Sequence, residues 1–132
     1  MTRDSPAVAV DTSALMMPVE CDVRVFDELD RLLGLNEVDL VTPRAVLAEL
    51  DRLASGAGEE ATAASVGRDL AERCRVVETD ASYADDALVE LAERDDCAYV
   101  VTNDRPLRDR LLERGVRVIG LRGRNKLNIT QP

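Results

Sequence analysis

Histidine is absent from this chain of 132 residues, and its three cysteines, Cys21, Cys74 and Cys97, are far apart and form no C-x-x-C pair. Zinc sites depend largely on histidine and cysteine ligands, so these absences argue against a zinc centre. An odd number of widely spaced cysteines indicates reduced thiols, and Cys74 and Cys97 are expected to pack as small hydrophobic side chains. Any metal site would therefore be built from oxygen ligands, which favour Mg²⁺ or Mn²⁺.

Long apolar runs are also missing. No stretch approaches the ~20 residues that cross a bilayer, and no basic region followed by an apolar segment opens the chain. We therefore expect a cytoplasmic protein with no membrane partner. Hydrophobic residues make up 45% of the chain, which argues against disorder and predicts a single domain over residues 1–132 with a real core.

Lysine and aromatic residues are scarce. Lys126 is the only lysine, aromatic residues make up 2% of the chain, and 26 acidic residues against 17 basic ones give a net charge of −9. This composition is typical of proteins in concentrated intracellular salt, where at ~1 M the Debye length falls to roughly 3 Å and repulsion between surface charges is screened. We expect a halophilic source, so the net charge does not exclude a nucleic-acid partner.

Basic residues are concentrated at the carboxyl end. Residues 1–104 carry 9 basic and 24 acidic groups, a net of −15, whereas residues 105–132 carry 8 basic and 2 acidic groups, a net of +6. A basic end on an acidic body predicts a surface that faces phosphates. Arg122, Arg124 and Lys126 are the best candidates, because they lie in a basic tail at about 121–132, beyond the last predicted strand. The arginines at 108, 110 and 114 are explained equally well as the exposed face of a helix.

Hydrophobic periodicity alternates between strand and helix along the chain. Strands are predicted at 7–10, 40–41, 75–78, 98–101 and 116–119. Helices are predicted at 23–33, 43–54, from the Ser-Gly-Ala-Gly break at 55–58 through 73, at 82–94 and at 105–114. This alternation predicts an α/β fold, a three-layer α/β/α sandwich with a mostly parallel, about five-stranded sheet.

Acidic residues stand where these parallel strands end or where the next helix begins. They are Asp11, Glu49, the adjacent pair Asp85 and Asp86, and Asp104. Carboxylates that converge at one edge of a sheet repel each other, and a divalent metal is the usual positive charge between them. The pattern therefore predicts metal-dependent phosphodiester chemistry.

Each acid also has a purely structural explanation. Asp11 could cap the next turn, and Glu49 lies at the solvated border of its helix. Asp104 is a good N-cap before Arg-Pro, and Asp85, three residues after Ser82, fits a capping box. Their shared location favours function over these alternatives.

Four motifs carry a resemblance to a known family. They are Val-Ala-Val-Asp-Thr-Ser-Ala-Leu (8–15), Val-Leu-Ala-Glu-Leu (46–50), Tyr-Ala-Asp-Asp-Ala-Leu (83–88) and Val-Val-Thr-Asn-Asp-Arg-Pro-Leu (100–107). In order and spacing they resemble the acidic motifs of PIN-domain nucleases. Together with an Asn-Ile near the carboxyl end, they look closest to the archaeal and eukaryotic branch related to small-subunit pre-ribosomal RNA processing endonucleases.

The resemblance implies a ribonuclease that hydrolyses single-stranded RNA with metal-activated water, in ribosomal RNA processing or RNA quality control. One or two Mg²⁺ or Mn²⁺ ions would be held by Asp11, Glu49, Asp104 and a third-motif aspartate. Supporting hydroxyls would come from three residues: Thr12, Ser13 and Thr102. Arg122, Arg124 and Lys126 would bind RNA, and the resemblance also suggests a homodimer or a ribosome-assembly partner.

The third-motif acid is either Asp85 or Asp86. Counting back from Thr102 favours Asp86, but that count crosses a loop at 95–97 that tolerates insertions. The helical register favours Asp85, which shares a face with Leu88, whereas Asp86 lies on the solvent side. We therefore predict Asp85 as the principal ligand and Asp86 as the second choice.

Other functions fit less well. A phospho-accepting receiver domain needs a lysine soon after the fifth strand, and Lys126 is too late. A haloacid-dehalogenase-type phosphatase needs an aspartate two residues after Asp11, where Ser13 stands. Two alternatives stay open within the PIN resemblance: a toxin ribonuclease neutralised by a small antitoxin, and a non-catalytic scaffold that binds RNA or protein.

Overall fold

Strand β1, Ala7–Val10, lies inside the sheet because its continuous apolar run can be buried on both faces. In the computed structural model, which describes residues 5–132, the sheet contains six strands in the order β3-β2-β1-β4-β5-β6. The other strands are β2 (Asp39–Pro43), β3 (Arg75–Val77), β4 (Tyr99–Val101), β5 (Arg117–Arg122) and β6 (Lys126–Thr130). The helices are α1 (Thr12–Glu20), α2 (Val25–Leu33), α3 (Arg44–Ala54), α4 (Gly58–Leu70), α5 (Ala84–Glu93) and α6 (Arg105–Glu113).

The first five strands are parallel, so their carboxyl ends meet at one edge. Strand β1 pairs with β2 on one side, Val8 opposite Leu40, and with β4 on the other, Val8 opposite Tyr99. After β1 the chain builds β2 and β3 outward and then returns to the opposite side of β1 as β4. Such a reversal opens a crevice beyond the carboxyl ends of the two central strands, where open α/β sheets bind ligands. The predicted α/β sandwich with a mostly parallel sheet is confirmed.

The sixth strand corrects the prediction of a basic tail. Strand β5 continues to Arg122, Gly123 turns the chain with a φ of 70°, and β6 returns antiparallel with Lys126 opposite Arg122. The basic residues therefore lie within a β-hairpin and not beyond the last strand. Leu127 is buried and Ile129 is partly buried against the core, an alternation typical of an edge strand. Because the turn between β5 and β6 is short and polar, this alternation was not recognised as a strand in the sequence.

Helix α1 was not predicted. It is buried over most of its length and contains Pro18, so it shows no polar face and little helical periodicity. Helix α4 packs closely against it, and Gly67 is the point of contact: a Cβ at this position would lie 2.9 Å from the backbone oxygen of Leu15. A glycine is required here because any side chain would collide with backbone.

The cysteines of the core behave as expected. Cys74 and Cys97 are buried free thiols, and burial raises the pKa of each to about 12. They pack as small hydrophobic groups. Within residues 5–132, no helix combines the length and the apolar composition needed to cross a bilayer.

Candidate active site

An open cleft of about 760 Å³ lies beyond the carboxyl ends of β1 and β4. Within residues 5–132, Arg52 is the one basic side chain that lines it, against six acidic ones. The acidic residues are Asp11, Glu20, Glu49, Glu60, Asp85 and Asp104. The structure therefore brings together four of the five predicted acids, and the cleft is strongly negative.

Asp11 is the buried member of the set, with only 5% of its surface exposed. One carboxylate oxygen, Oδ2, accepts hydrogen bonds from Thr102 Oγ1 at 2.7 Å and from Ser13 Oγ at 3.0 Å. Burial raises the pKa of Asp11, these hydrogen bonds oppose the rise, and repulsion from Glu49 adds a little to it. Burying an ionisable side chain to this extent lowers the stability of the folded protein, and such perturbed acids are typical of functional sites.

The predicted hydroxyls join the ends of β1 and β4. Ser13 Oγ and Thr102 Oγ1 lie 3.1 Å apart, the backbone N–H of Asn103 donates to Ser13 Oγ at 2.9 Å, and that of Asp104 donates to Thr102 Oγ1 at 3.1 Å. The two hydroxyls therefore orient Asp11 and fix the loop that carries Asp104.

Thr12 is different. Its hydroxyl oxygen is buried and has no hydrogen-bond partner among the residues that the structure describes. A buried polar atom without a partner is costly, so an oxygen of this kind beside a cleft suits an additional ligand.

Glu49 lies on α3 at the border of the buried stripe, as the periodicity predicted. Its side chain is 34% exposed and makes a long ion pair with Arg52, Oε2 to Nη2 at 3.7 Å. Val46 and Leu50 on the same helix are fully buried and hold Glu49 at the wall of the cleft.

Asp104 caps α6, as its alternative interpretation predicted. Its Oδ1 accepts a hydrogen bond from the backbone N–H of Leu107 at 2.9 Å. The same residue lines the cleft, and capping occupies only one of its two oxygens. Capping and a role in the cleft are therefore compatible at this position.

Asp85 and Asp86 both lie in the first turn of α5, but only Asp85 lines the cleft. Asp86 Oδ1 is 3.1 Å from Arg110 Nη2, and Asp85 Oδ2 is 3.6 Å from Arg110 Nη1. The capping box suggested for Asp85 is wrong: the N-cap is Tyr83, not Ser82, and its side chain makes no capping hydrogen bond.

The atoms of the cleft that could bind a metal ion are carboxylate and hydroxyl oxygens, the ligands that Mg²⁺ and Mn²⁺ prefer. Within residues 5–132, no three histidine, cysteine, aspartate or glutamate side chains are grouped closely enough to enclose a metal ion. The chemistry of these residues and the partnerless hydroxyl of Thr12 fit such an ion, although the acids line one cleft without forming a closed cluster.

A second cavity of about 250 Å³ adjoins the first, and Asp104 lines both. The second cavity is lined by Arg105, Arg108 and Arg122, whereas Arg124 and Lys126 line neither cavity. Of the residues predicted to bind RNA, only Arg122 is therefore placed beside the cleft.

Several residues at these cavities were missed by sequence interpretation. Glu20 lies at the end of the unpredicted helix α1, and Glu60 lies on α4. Arg105 could have been found from its place next to Asp104 at the start of a helix. Tyr83 stood within a recognised motif but was not assigned a role.

Comparisons with known proteins agree with this architecture. Residues 8–124 match the family model described as PIN like domain. Ribonuclease VapC4 of Methanocaldococcus jannaschii is 25% identical over 125 residues, which span 92% of this chain and 95% of that protein.

Two solved structures share the fold. The structure of the PIN domain endonuclease Utp24 has a TM-score of 0.74 at 22% identity and covers 96% of this chain and 92% of that one. A domain of a functionally unknown protein from Methanocaldococcus jannaschii has a TM-score of 0.65 at 15% identity, with 89% and 92% covered. The resemblance inferred from the four acidic motifs is confirmed: the chain belongs to the PIN-like domain family.

Proposed function

We propose that this protein is a metal-dependent endoribonuclease that cleaves single-stranded RNA in the acidic cleft. The observation that carries the proposal is the buried Asp11, held by Ser13 and Thr102 at the end of β1 in a cleft shared with Glu49, Asp85 and Asp104. Such an arrangement costs stability and is explained by the chemistry it serves. Similarity to a protein named Ribonuclease VapC4 supports RNA as the substrate.

The acids of the cleft would hold one or two Mg²⁺ or Mn²⁺ ions, which supply an activated water and stabilise the leaving oxygen. Asp11, Glu49, Asp85 and Asp104 are the proposed ligands, with Asp86 as the second choice for the third motif. Ser13 and Thr102 keep Asp11 oriented and favour its ionised form. The hydroxyl of Thr12 is available to a bound water or ligand.

Metal dependence is tested by removal and restoration. Excess EDTA should abolish cleavage of single-stranded RNA in a high-salt assay, and excess Mn²⁺ or Mg²⁺ should restore it. Because the ion binds the folded state, it should also stabilise the protein, by about 2.7 kcal/mol when its concentration is 100 times its dissociation constant. The melting temperature should rise accordingly. Undiminished cleavage in EDTA would exclude the mechanism.

The basic residues of the β5–β6 hairpin are proposed to bind RNA phosphates. Replacing Arg122, Arg124 and Lys126 with glutamine should weaken the binding of all RNA sequences alike, because phosphate contacts carry no base information. Since the variant lacks three positive charges that would neutralise phosphates, the slope of log affinity against log salt should flatten by about 2. Metal affinity should not change, since no proposed ligand is altered.

The control for this variant removes the same charge elsewhere. Arg24, Arg75 and Arg117 are exposed, and the last two lie at the amino ends of β3 and β5, opposite the cleft. Their replacement by glutamine should leave the salt slope nearly unchanged. If the hairpin variant melts at a lower temperature but binds RNA as before, its basic residues are structural and the assignment fails.

The biological role proposed is ribosomal RNA processing or RNA quality control. The alternative is a toxin ribonuclease paired with a small antitoxin, and ribonuclease activity fits both roles. A gene for a small partner protein beside that of this chain would favour the toxin. Binding of RNA without any cleavage under metal-replete conditions would instead favour the non-catalytic scaffold.

A further inference from the structure

Tyr83 is the most exposed large hydrophobic side chain that the structure describes, with 73% of its surface accessible; the next, Val66, reaches only 36%. The chain has only three aromatic side chains, Phe26, Tyr83 and Tyr99, and Tyr83 is the exposed one. The tyrosine also lines the acidic cleft, two residues before Asp85.

The other two aromatic rings are already covered within the protein. The guanidinium of Arg73 lies 4.1 Å from the centre of the Phe26 ring, and that of Arg117 lies 5.5 Å from the centre of the Tyr99 ring. Among residues 5–132, no cation stacks on Tyr83 and no hydrogen bond uses its hydroxyl. Its ring is therefore available at the mouth of the cleft.

The backbone that carries this ring is fixed. Tyr83 is the N-cap of α5, and its carbonyl oxygen accepts the hydrogen bond of the Ala87 N–H at 2.9 Å. Ala84 and Ala87, which follow on the helix, are buried against the core. An aromatic side chain carried by a fixed backbone has only two rotatable bonds to order, so it offers contact area at low entropic cost.

Positive charge is scarce within the acidic cleft itself, in contrast to the second cavity with its three arginines. The chain carries a net charge of −9, and Arg52, the basic residue of the cleft, lies 3.7 Å from the Glu49 carboxylate. Phosphate contacts also weaken steeply with salt, whereas stacking of a base on an aromatic ring does not depend on charge and accepts every base. A stacking contact would therefore add affinity inside the cleft, where Arg52 is the one basic residue of the lining.

We propose that Tyr83 is a stacking platform for an unpaired nucleobase next to the cleavage site, an inference that rests on the proposed ribonuclease function. A protein partner is the less favoured occupant, because the apolar centre of a protein interface extends over several residues. The neighbours of Tyr83 along the chain are instead the exposed polar residues Ser82 and Asp85 and the small Ala84.

Tyrosine fluorescence tests the contact directly. Because the chain has no tryptophan and only two tyrosines, the Tyr99→Phe variant leaves Tyr83 as the only tyrosine. Combined with Asp11→Asn to prevent cleavage, this protein is titrated with a short oligoadenylate. Stacking should quench the fluorescence, whereas an abasic oligonucleotide of the same length, at a concentration shown by anisotropy to saturate binding, should not.

Substitutions at the ring provide the second measurement. In the Asp11→Asn background, Tyr83→Ala should weaken oligoadenylate binding by about tenfold, the order found when one base–aromatic stack is removed, whereas Tyr83→Phe should bind as before. Val66→Ala, which trims the other exposed apolar side chain, should have no effect. Affinity for the abasic oligonucleotide should be the same with tyrosine or alanine at this position.

The two hypotheses fail differently. If the protein binds RNA but shows neither quenching nor weaker binding with Tyr83→Ala, the stacking platform is wrong and the ribonuclease proposal stands. Equal losses of affinity on oligoadenylate and abasic oligonucleotides would also overturn it, because the ring would then act without a base. If the wild-type protein neither binds nor cleaves RNA, the proposed function falls and the inference falls with it.

Discussion

The Asp11→Asn variant is expected to lose RNA cleavage almost completely while keeping its fold. Groups that merely support a metal ligand are worth about 10- to 100-fold in activity or affinity, so loss of a ligand should cost well over 100-fold. Asparagine can still accept the hydrogen bonds that Thr102 and Ser13 donate to Asp11 Oδ2. The measurement is the single-turnover cleavage rate with saturating Mn²⁺, and full activity in this variant would refute the assignment.

The same variant should be at least as stable as the wild type in the absence of metal. Burial raises the pKa of Asp11, so the ionised carboxylate is less stable in the folded than in the unfolded protein. This cost is absent below the unfolded pKa of about 3.9 and grows until the pH exceeds the raised folded pKa. Thermal melting in EDTA should therefore show the variant unfolding at higher temperature near neutral pH, with the difference disappearing in acid.

A control for both effects is Asp69→Asn. Asp69 is an exposed acid on α4 that does not line the cleft. Its replacement removes a carboxylate outside the cleft and should leave the cleavage rate and the melting temperature at neutral pH unchanged. A lower melting temperature for Asp11→Asn at neutral pH would mean that the carboxylate stabilises the fold, contrary to the role proposed for it.

Asp85→Asn is expected to lose roughly 100-fold or more in cleavage rate, whereas Asp86→Asn should lose less than about tenfold. The reason is placement: Asp85 lines the cleft and Asp86 does not, whereas both are paired with Arg110, at 3.6 Å and 3.1 Å. The two substitutions remove identical groups one residue apart, so each is the control for the other. The opposite order would make Asp86 the principal ligand, and equal losses would mean that both carboxylates serve the metal.

Much of the fold could be predicted from periodicity because most elements have one clear hydrophobic face or are continuously apolar. The failures were α1, which is buried almost all round, and β6, whose five residues follow a three-residue turn. In both, the local pattern is weak and the partner across the contact, α4 or β5, decides the structure. Tertiary packing of this kind is not visible in a single stretch of sequence.

The candidate site was predictable to the extent that topology determines it. Asp11 and Asp104 follow adjacent parallel strands, and this connectivity alone brings them to one edge of the sheet. What could not be predicted was which atoms meet: that Thr102 and Ser13 share one oxygen of Asp11, or that Arg105 and Arg122 line a common cavity. These relations depend on side-chain rotamers and on the path of loops.

The close contact at Gly67 bears on how activity is judged among related chains. Helix α1 begins directly after Asp11, and Gly67 allows the backbone of this helix to lie against α4, with Leu15 O only 2.9 Å from where a Cβ would stand. A larger residue there would displace α1 and with it the first acid, although every carboxylate would still be present. Under the proposed function, a homologue with a larger residue at position 67 is therefore expected to be inactive even when it retains all four acids, so this position should be inspected together with them.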